Sequence, residues 1–434
     1  MTPADTTVVD VSDAARAALA GLLSAYAARR QGWDAGAPVR VVSAEVLVPG
    51  RPGIVDVVAE LGERMVHVPI GLRAPGDDVR SIPEGEDAVV GEFEDDAGPA
   101  VAVDAMHDAG IAALLLQLVV VDEPVTDAAM RFLRDDEGSI TLVVDERVAF
   151  TVYNHVLDGP RRDLELFLAL DEVGFNHLAA PLGVWRRAGR DLGVVQEYLP
   201  GASSGNALAL TSVRDLYASG GPPELAGGDF GAEAHRLGTM AARMHVGLDK
   251  AFGRRPGDVG QWAREIDAAL KAEGPDVVDR PDVGHLLGEL RALQVPSPMI
   301  RTHGDFHLGR TRRTEQGWYV VDFSPGGTPV SAVGASTDPG DDGRVFRSPL
   351  ADVADMLWSF GHVASTAADE RDPSGREGLG ELAHAWEARN RRAFLAGYLG
   401  VPGISGLVPP GREALRVLTS SFEMVRAAVH ESRS

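Results

Sequence analysis

Two hydrophobic periods share this chain, and the place where one gives way to the other divides it. From Asp13 to Gln31 apolar residues recur at helical spacing behind Ser12, which predicts an amphipathic helix with Ser12 as its N-cap. Three strand-like runs follow, Val39–Val48, Ile54–Leu61 and Met65–Leu72, separated by Pro-Gly or Gly-Glu turns. Runs at Ala88–Phe93 and Ala100–Ala105 and a helix near Asp108–Leu118 complete a small α+β unit with no nameable chemical motif.

A second unit starts near Val125. Ser139–Val144 and Arg147–Tyr153 predict a hairpin around Asp145-Glu146, and Arg162–Glu172 a short helix. Leu182–Arg187 and Leu192–Leu199 predict another hairpin around Ala188-Gly189-Arg190, ended by the break at Pro200-Gly201. From Thr211 the period is helical, with helices expected at 211–218, 230–251, 260–273, 281–293, 349–366, 378–397 and 411–431. Residues 324–348 are rich in Gly, Pro and Asp and read as a mobile loop. No internal repeat interrupts this order. The expected division is 1–124, 125–200 and 201–434.

Composition narrows the chemistry. A chain of 434 residues with 44% hydrophobic and 24% charged residues is an ordinary globular protein of two or three packed units. It has no cysteine, which excludes a disulfide framework, a thiolate metal site and a catalytic thiol. Residues 1–30 lack the basic start and apolar core of a signal peptide, and the run Ile111–Val121, broken by Gln117, is too short to cross a bilayer. A cytoplasmic protein is expected. The formal net charge of −23 argues against nucleic acid or anionic membrane as partner and suits a neutral or cationic small substrate. Arginine fills every basic position except Lys250 and Lys271, so no lysine exists in the first 249 residues.

The candidate chemistry lies in Thr302-His303-Gly304-Asp305-Phe306-His307-Leu308-Gly309-Arg310, followed by Trp318–Val321 and then Asp322-Phe323. A His-Gly-Asp loop, a short strand pair and an apolar run ending in Asp-Phe resemble the site of kinase-like phosphotransferases. In that pattern Asp305 faces the acceptor hydroxyl, and Asp322, at a strand end, offers oxygen to Mg²⁺. His307 either lines the acceptor pocket or buttresses the loop, and Asp352 hydrogen-bonds the loop rather than touching substrate. Gln196 and Tyr198 sit where a hinge would read adenine by main-chain groups, and the turn Asp136-Glu137-Gly138-Ser139 is placed to cover phosphates, an ordinary turn being the alternative. Trp358, Trp386 and Glu423 on C-terminal helices would give a sugar a ring to stack on and a carboxylate to bond, unless the rings are core. His235 and His245, ten apart on one expected helix, read as structural.

The likeness extends further. The chain resembles the actinobacterial glucosamine kinases and maltokinases within the aminoglycoside-phosphotransferase-like group. Besides His303–Gly309, the resemblance is carried by Val66-His-Val-Pro-Ile-Gly-Leu-Arg73, Gln196-Glu-Tyr-Leu199, Thr211–Leu216, Phe230–Gly238, Ser348-Pro-Leu-Ala-Asp352 and Arg389–Tyr398. It implies an α+β, bilobal, protein-kinase-like fold with an N-terminal cap, an intermediate sheet domain and a mostly helical C-lobe, with ATP between the lobes. It also implies transfer of the γ-phosphate to a hydroxyl of an amino sugar, most simply glucosamine to glucosamine 6-phosphate, with Mg²⁺ as cofactor.

The departures from that pattern are specific. Thr151 stands where family members carry a strand lysine, which leaves the phosphate contact to an arginine or His155, or absent. Arg310 replaces a neutral Gln or Asn metal ligand; it cannot ligate a cation but matches a phosphate oxygen or an acceptor hydroxyl. Asp-Phe-Glu becomes Asp322-Phe323-Ser324, and Ser434 falls short of the longer tail of maltokinases. These changes favour the glucosamine kinase branch or a more divergent sugar kinase. The alternatives are a maltokinase forming maltose 1-phosphate and a nucleotide-binding pseudokinase.

Overall fold

Ser12 caps the first helix as its pattern predicts: its Oγ accepts from the Ala15 N–H at 3.3 Å, and α1 runs Asp13–Ala27. The structure is a computed structural model and describes residues 9–30, 32–83, 87–95, 97–120, 128–274, 277, 280–324, 335–337, 344–373 and 378–431. Most of the loop expected over 324–348, and the expected boundary at 124, lie outside the described residues. By its contacts the chain forms two compact units, Met1–Arg161 with Ala179–Pro200, and Arg162–Leu178 with Gly201–Ser434.

In the first unit, strands β1 (Val9–Asp10), β2 (Val39–Val48), β3 (Gly53–Leu61), β4 (Arg64–Arg73), β5 (Val89–Asp95) and β6 (Gly98–Asp104) make a six-stranded antiparallel sheet. Their spatial order is β1-β2-β3-β4-β6-β5. Leu19, Leu23 and Tyr26 of α1 share a core with Val55, Val57, Ala59 and Leu61 on alternate positions of β3. Ile54 of the same strand faces a second core with Ile111 and Leu115 of α2 (Ala109–Val119). Burial on both faces explains why β3 reads as an almost unbroken apolar run.

That second core is completed by another antiparallel sheet, ordered β10-β11-β9-β8-β7, which contributes Ile140, Leu142, Phe150 and Val152. Its strands are β7 (Met130–Asp135), β8 (Ser139–Val144), β9 (Val148–Tyr153), β10 (Pro181–Arg187) and β11 (Arg190–Glu197). Asp145 and Glu146 both take φ 51° at the expected turn. Strand β7 is absent from the sequence reading. It is an edge strand carrying Arg131, Arg134 and Asp135, so charges replace the apolar alternation that marks an inner strand.

A buried ionic cluster ties β7 to α1 and β6. Asp135 accepts from Arg30 Nη2 at 2.8 Å and lies 2.9 Å from His107 Nε2. Nδ1 of the same imidazole is 3.3 Å from Asp104 Oδ2, an ion-pair contact too poorly aligned to count as a hydrogen bond, and Tyr26 donates its hydroxyl to Asp104. Burial opposes the charge on His107, but Asp104 and Asp135 outweigh it and hold the imidazolium up to about 9. Burial likewise opposes ionised Asp104, which His107, Arg30 and Tyr26 hold down to about 2.

The second unit is mostly helical. It contains α3 (Arg162–Glu172), α4 (Gly205–Ser219), α5 (Gly231–Phe252), α6 (Val259–Glu273), α7 (Pro281–Ala292), α8 (Pro349–Arg371), α9 (Gly380–Leu399) and α10 (Arg412–Glu431). The expected helices are present within a few residues, except that α4 begins at Gly205, well before the expected 211, where Ser204 Oγ caps the Ala207 N–H at 3.1 Å. α3 packs with this unit, Leu170 lying against Gly247 of α5. Strands β12 (Ser203–Ser204), β13 (Arg255–Gly257), β14 (Ser297–Met299), β15 (Thr311–Arg313) and β16 (Trp318–Val320) are short. β12-β15-β16 form a small sheet that brackets the His303–Arg310 loop and Asp322. Among the described residues no helix is long and apolar enough to cross a membrane.

The ionic cluster predicts how stability depends on pH. A raised His107 stabilises fully below its unfolded value of 6.5 and loses that contribution as pH rises through about 9. Lowered Asp104 stabilises above 3.8 and loses its contribution as pH falls through about 2. The penalty of His107→Asn, read by thermal or urea unfolding, should therefore be about 2–3 kcal/mol near pH 5–6 and shrink towards zero by about pH 10. A penalty independent of pH would refute a charged His107.

Candidate active site

Asp352, in the first turn of α8, is fully buried, and its carboxylate meets two backbone N–H groups and a histidine. Oδ2 accepts the His303 N–H at 2.8 Å and Oδ1 the Gly304 N–H at 3.0 Å. His245 of α5 approaches Oδ2 through Nε2 at 3.1 Å, and its Nδ1 meets the Tyr398 hydroxyl of α9 at 2.8 Å. Burial alone would favour the neutral acid, but His245, His303 and the Gly304 N–H hold Asp352 below the usual carboxylate range. His245 is thus structural, as its spacing suggests, and its task is to brace the loop anchor. The helices that bring it to Tyr398 approach through glycine: a Cβ on Gly238 would strike the Phe394 carbonyl, and one on Gly397 the His235 carbonyl.

The anchored loop turns at Gly304, whose φ of 89° favours glycine. His303 then locks the second half of the motif, its Nε2 3.1 Å from the Val321 carbonyl and its ring stacked on Phe323 at 4.8 Å. The Ser324 N–H donates to the His303 carbonyl at 3.0 Å, and Asp322 is held at φ 56°, a conformation uncommon outside glycine. Strand β16 and the loop thus fix where the second aspartate points.

Asp305 is 5% exposed, and cations surround its carboxylate. Oδ1 accepts from Arg426 Nη1 at 2.8 Å. Oδ2 accepts from Arg310 Nη2 at 3.1 Å and Nε at 3.3 Å, with His307 Nε2 at 3.5 Å. His307 Nδ1 accepts the Gly309 N–H at 3.1 Å, so in the neutral ring the proton resides on Nε2, facing Asp305. Burial would raise the Asp305 carboxyl; His307 and Arg426 outweigh it and hold it far below the usual range. The third nitrogen of Arg310, Nη1, donates to Asp322 Oδ2 at 3.3 Å. One guanidinium therefore spans both aspartates.

The other expected site residues divide. His307, Arg310 and Asp322 converge on Asp305. Trp386 does not: it is buried beside Phe230 and Phe360, with Nε1 donating to Ser212 Oγ at 3.0 Å, so no ring face is open to a sugar. Trp358 is the aromatic near Asp305, with the Arg426 guanidinium 5.0 Å from its ring centre and His362 stacked on it at 4.7 Å. Glu423, one turn before Arg426, accepts from both terminal nitrogens of Arg391.

Ser139, Gln196 and Tyr198 belong to the first unit. The Gly138 and Ser139 N–H groups both donate to Asp136 Oδ1 at 2.9 Å, closing the 136–139 turn on its own carboxylate. That turn has its two amides committed to Asp136, and Ser139 is buried. Gln196 lies inside β11, paired with Ala149 and Pro181, and the Tyr198 N–H donates to the Arg147 carbonyl at 2.8 Å. Thr151 shares a 2.9 Å hydroxyl contact with Thr141, and His155, offered as a substitute cation, is pushed down by burial, Arg64 and Arg161.

No protein-family model matches the chain. A glucosamine kinase of Streptacidiphilus jiangxiensis is 32% identical over 385 residues, covering 82% of this chain and 81% of that protein. The chain belongs to the glucosamine kinase family. A glucosamine kinase of Mycolicibacterium smegmatis (strain ATCC 700084 / mc(2)155) is 27% identical over 321 residues, 69% of this chain and 75% of the other. A solved glucosamine kinase in complex with glucosamine, ADP and inorganic phosphate superposes with a TM-score of 0.65 at 22% identity, covering 95% of this chain and 94% of its own. The kinase-like α+β fold expected from the motifs is thereby established.

Sequence reasoning missed Arg426, which donates to Asp305. It lies on a helix with a regular apolar period, where a charged residue on the inner face is the only signal. The glycine contacts generate a prediction about the loop anchor. Gly397→Ala should force α9 from α5, cost about 1–3 kcal/mol in chemical denaturation and lower turnover, because Tyr398 would no longer brace His245. Unchanged stability would show that the helices separate without strain.

Proposed function

We propose that this kinase transfers the γ-phosphate of ATP to a hydroxyl of glucosamine, forming glucosamine 6-phosphate and ADP. The observation that carries the reading is the pair Asp305 and Asp322 held across one guanidinium on a buried, carboxylate-anchored loop; the glucosamine kinases named above supply the acceptor class. The acceptor oxygen attacks the γ-phosphorus, the bond to the β,γ-bridging oxygen breaks, and the hydroxyl proton passes to Asp305 Oδ2. Because Asp305 is held far below the usual range, it stays ionised at any working pH. It is a weak base that orients the hydroxyl and accepts the proton late, as a loose transition state requires.

Asp322, with its side chain about a third exposed at 35%, suits a Mg²⁺ that takes one carboxylate and completes its shell from phosphate oxygens and water. Such an ion would neutralise charge on the phosphates. Position 310 adds no metal ligand, since a guanidinium has no acceptor. We place Arg310 instead on the transferred phosphoryl group, where its planar fork matches phosphate oxygens. His307 and Glu423 are proposed for the acceptor side, and the main chain of Gln196 and Tyr198 for adenine. The functional division is proposed as a cap (1–124), a sheet domain (125–200) and a helical catalytic domain (201–434).

ADP release from ATP and Mg²⁺ with glucosamine, maltose, glucose and an aminoglycoside tests the acceptor. Turnover should be greatest with glucosamine; turnover with maltose alone would replace the assignment, and nucleotide binding without turnover on any acceptor would indicate a non-catalytic protein. Asp305→Asn should lower kcat about a thousandfold while nucleotide affinity changes little. Arg310→Gln should lower kcat roughly 10- to 100-fold. An equal or faster Arg310→Gln enzyme would remove the arginine from the mechanism.

A further inference from the structure

One buried acid on the catalytic side has no part in the mechanism above. Asp355 lies on α8 one turn beyond the loop anchor Asp352 and is 1% exposed. Its Oδ1 is 3.9 Å from Arg426 Nη1, the same nitrogen that donates to Asp305 Oδ1 at 2.8 Å. Its Oδ2 has no hydrogen-bond partner. A buried carboxylate oxygen left without a donor is costly when charged, so a side chain retained there is expected to hold a proton part of the time.

We propose that Asp355 is a positioning residue that sets, through Arg426, how strongly the guanidinium grips Asp305. The inference rests on the reading of Asp305 as the group that takes the acceptor proton. Arg426 Nη1 faces two carboxylates but hydrogen-bonds only one. With Asp355 neutral, the guanidinium is committed to Asp305 and suppresses its proton affinity. With Asp355 ionised, a second negative charge shares that nitrogen, and Asp305 becomes the better acceptor. Trp358, whose ring faces the Arg426 guanidinium at 5.0 Å, limits how far the guanidinium can move.

The charges facing Asp355 come from four elements. Arg426 stands on α10, buried Arg347 on the segment before α8, Asp352 on α8 itself and Asp305 on the catalytic loop. Burial is the strongest influence and, with Asp352 and Asp305, outweighs Arg426 and Arg347, pushing the Asp355 carboxyl up to about 7. The switch therefore falls within the working range of an enzyme.

The test is kcat against pH from about 6 to 8.5 for the whole protein with saturating ATP, Mg²⁺ and glucosamine. Wild type should rise roughly two- to fivefold through neutrality, and Asp355→Asn should hold the low-pH value throughout with unchanged KM for ATP. Arg426→Gln should lower kcat and also abolish the rise, which keeps the test open if Asp355→Asn does not fold. A wild type without the rise, or an Asp355→Asn enzyme that is uniformly slower but keeps it, overturns the proposal. Failure of the underlying reading looks different: Asp305→Asn would then turn over normally, whereas an inactive Asp305→Asn beside an unaltered Asp355→Asn profile removes only the positioning role.

Discussion

A buried carboxylate accepting two backbone N–H groups is the constraint on which this site depends. Asp352 fixes His303 and Gly304, and through them the direction of Asp305. A charge so deeply buried persists only when its lone pairs are filled, and the two amides with His245 fill them. Those hydrogen bonds offset the cost of burying Asp352 and hold the loop rigid, which phosphoryl transfer needs because the protein mainly positions groups. His245 and Tyr398 extend the same brace into α5 and α9, whose close approach at Gly238 and Gly397 sets the distance between them.

Around that anchor, positive groups are concentrated on one carboxylate in a chain of net charge −23. Arg310, Arg426 and His307 all face Asp305, and Arg310 also reaches Asp322. The local field counts for more than the net charge, since surface carboxylates are screened by water while these groups are half-buried or deeper.

The first unit shows how a different problem is solved. Its two sheets share α2 as common filling, and an edge strand that offers the core only Met130 and Phe132 is also tied in by His107, Asp104, Asp135 and Arg30. Pairing lets those charges remain buried. The 136–139 turn closes on the Asp136 carboxylate, and Thr151, where the resemblance implies a lysine, shares its hydroxyl contact with Thr141.

By itself the sequence determined the elements and the reactive loop. Apolar period located nearly every helix and inner strand, and the motif of His303, Asp305 and Asp322 carried a resemblance to kinase-like phosphotransferases, because both signals are local in the chain. Tertiary structure decided what spacing cannot express. It buried Trp386 among Phe230 and Phe360, turned Ser139 inward and brought Arg426, 121 residues from Asp305, onto its carboxylate. It also recovered β7, whose charges hide it from an apolar pattern, and it set Arg310 between two aspartates. Which charge meets which depends on how helices from distant parts of the chain cross, and that is fixed by side-chain packing, not by any pattern along one segment.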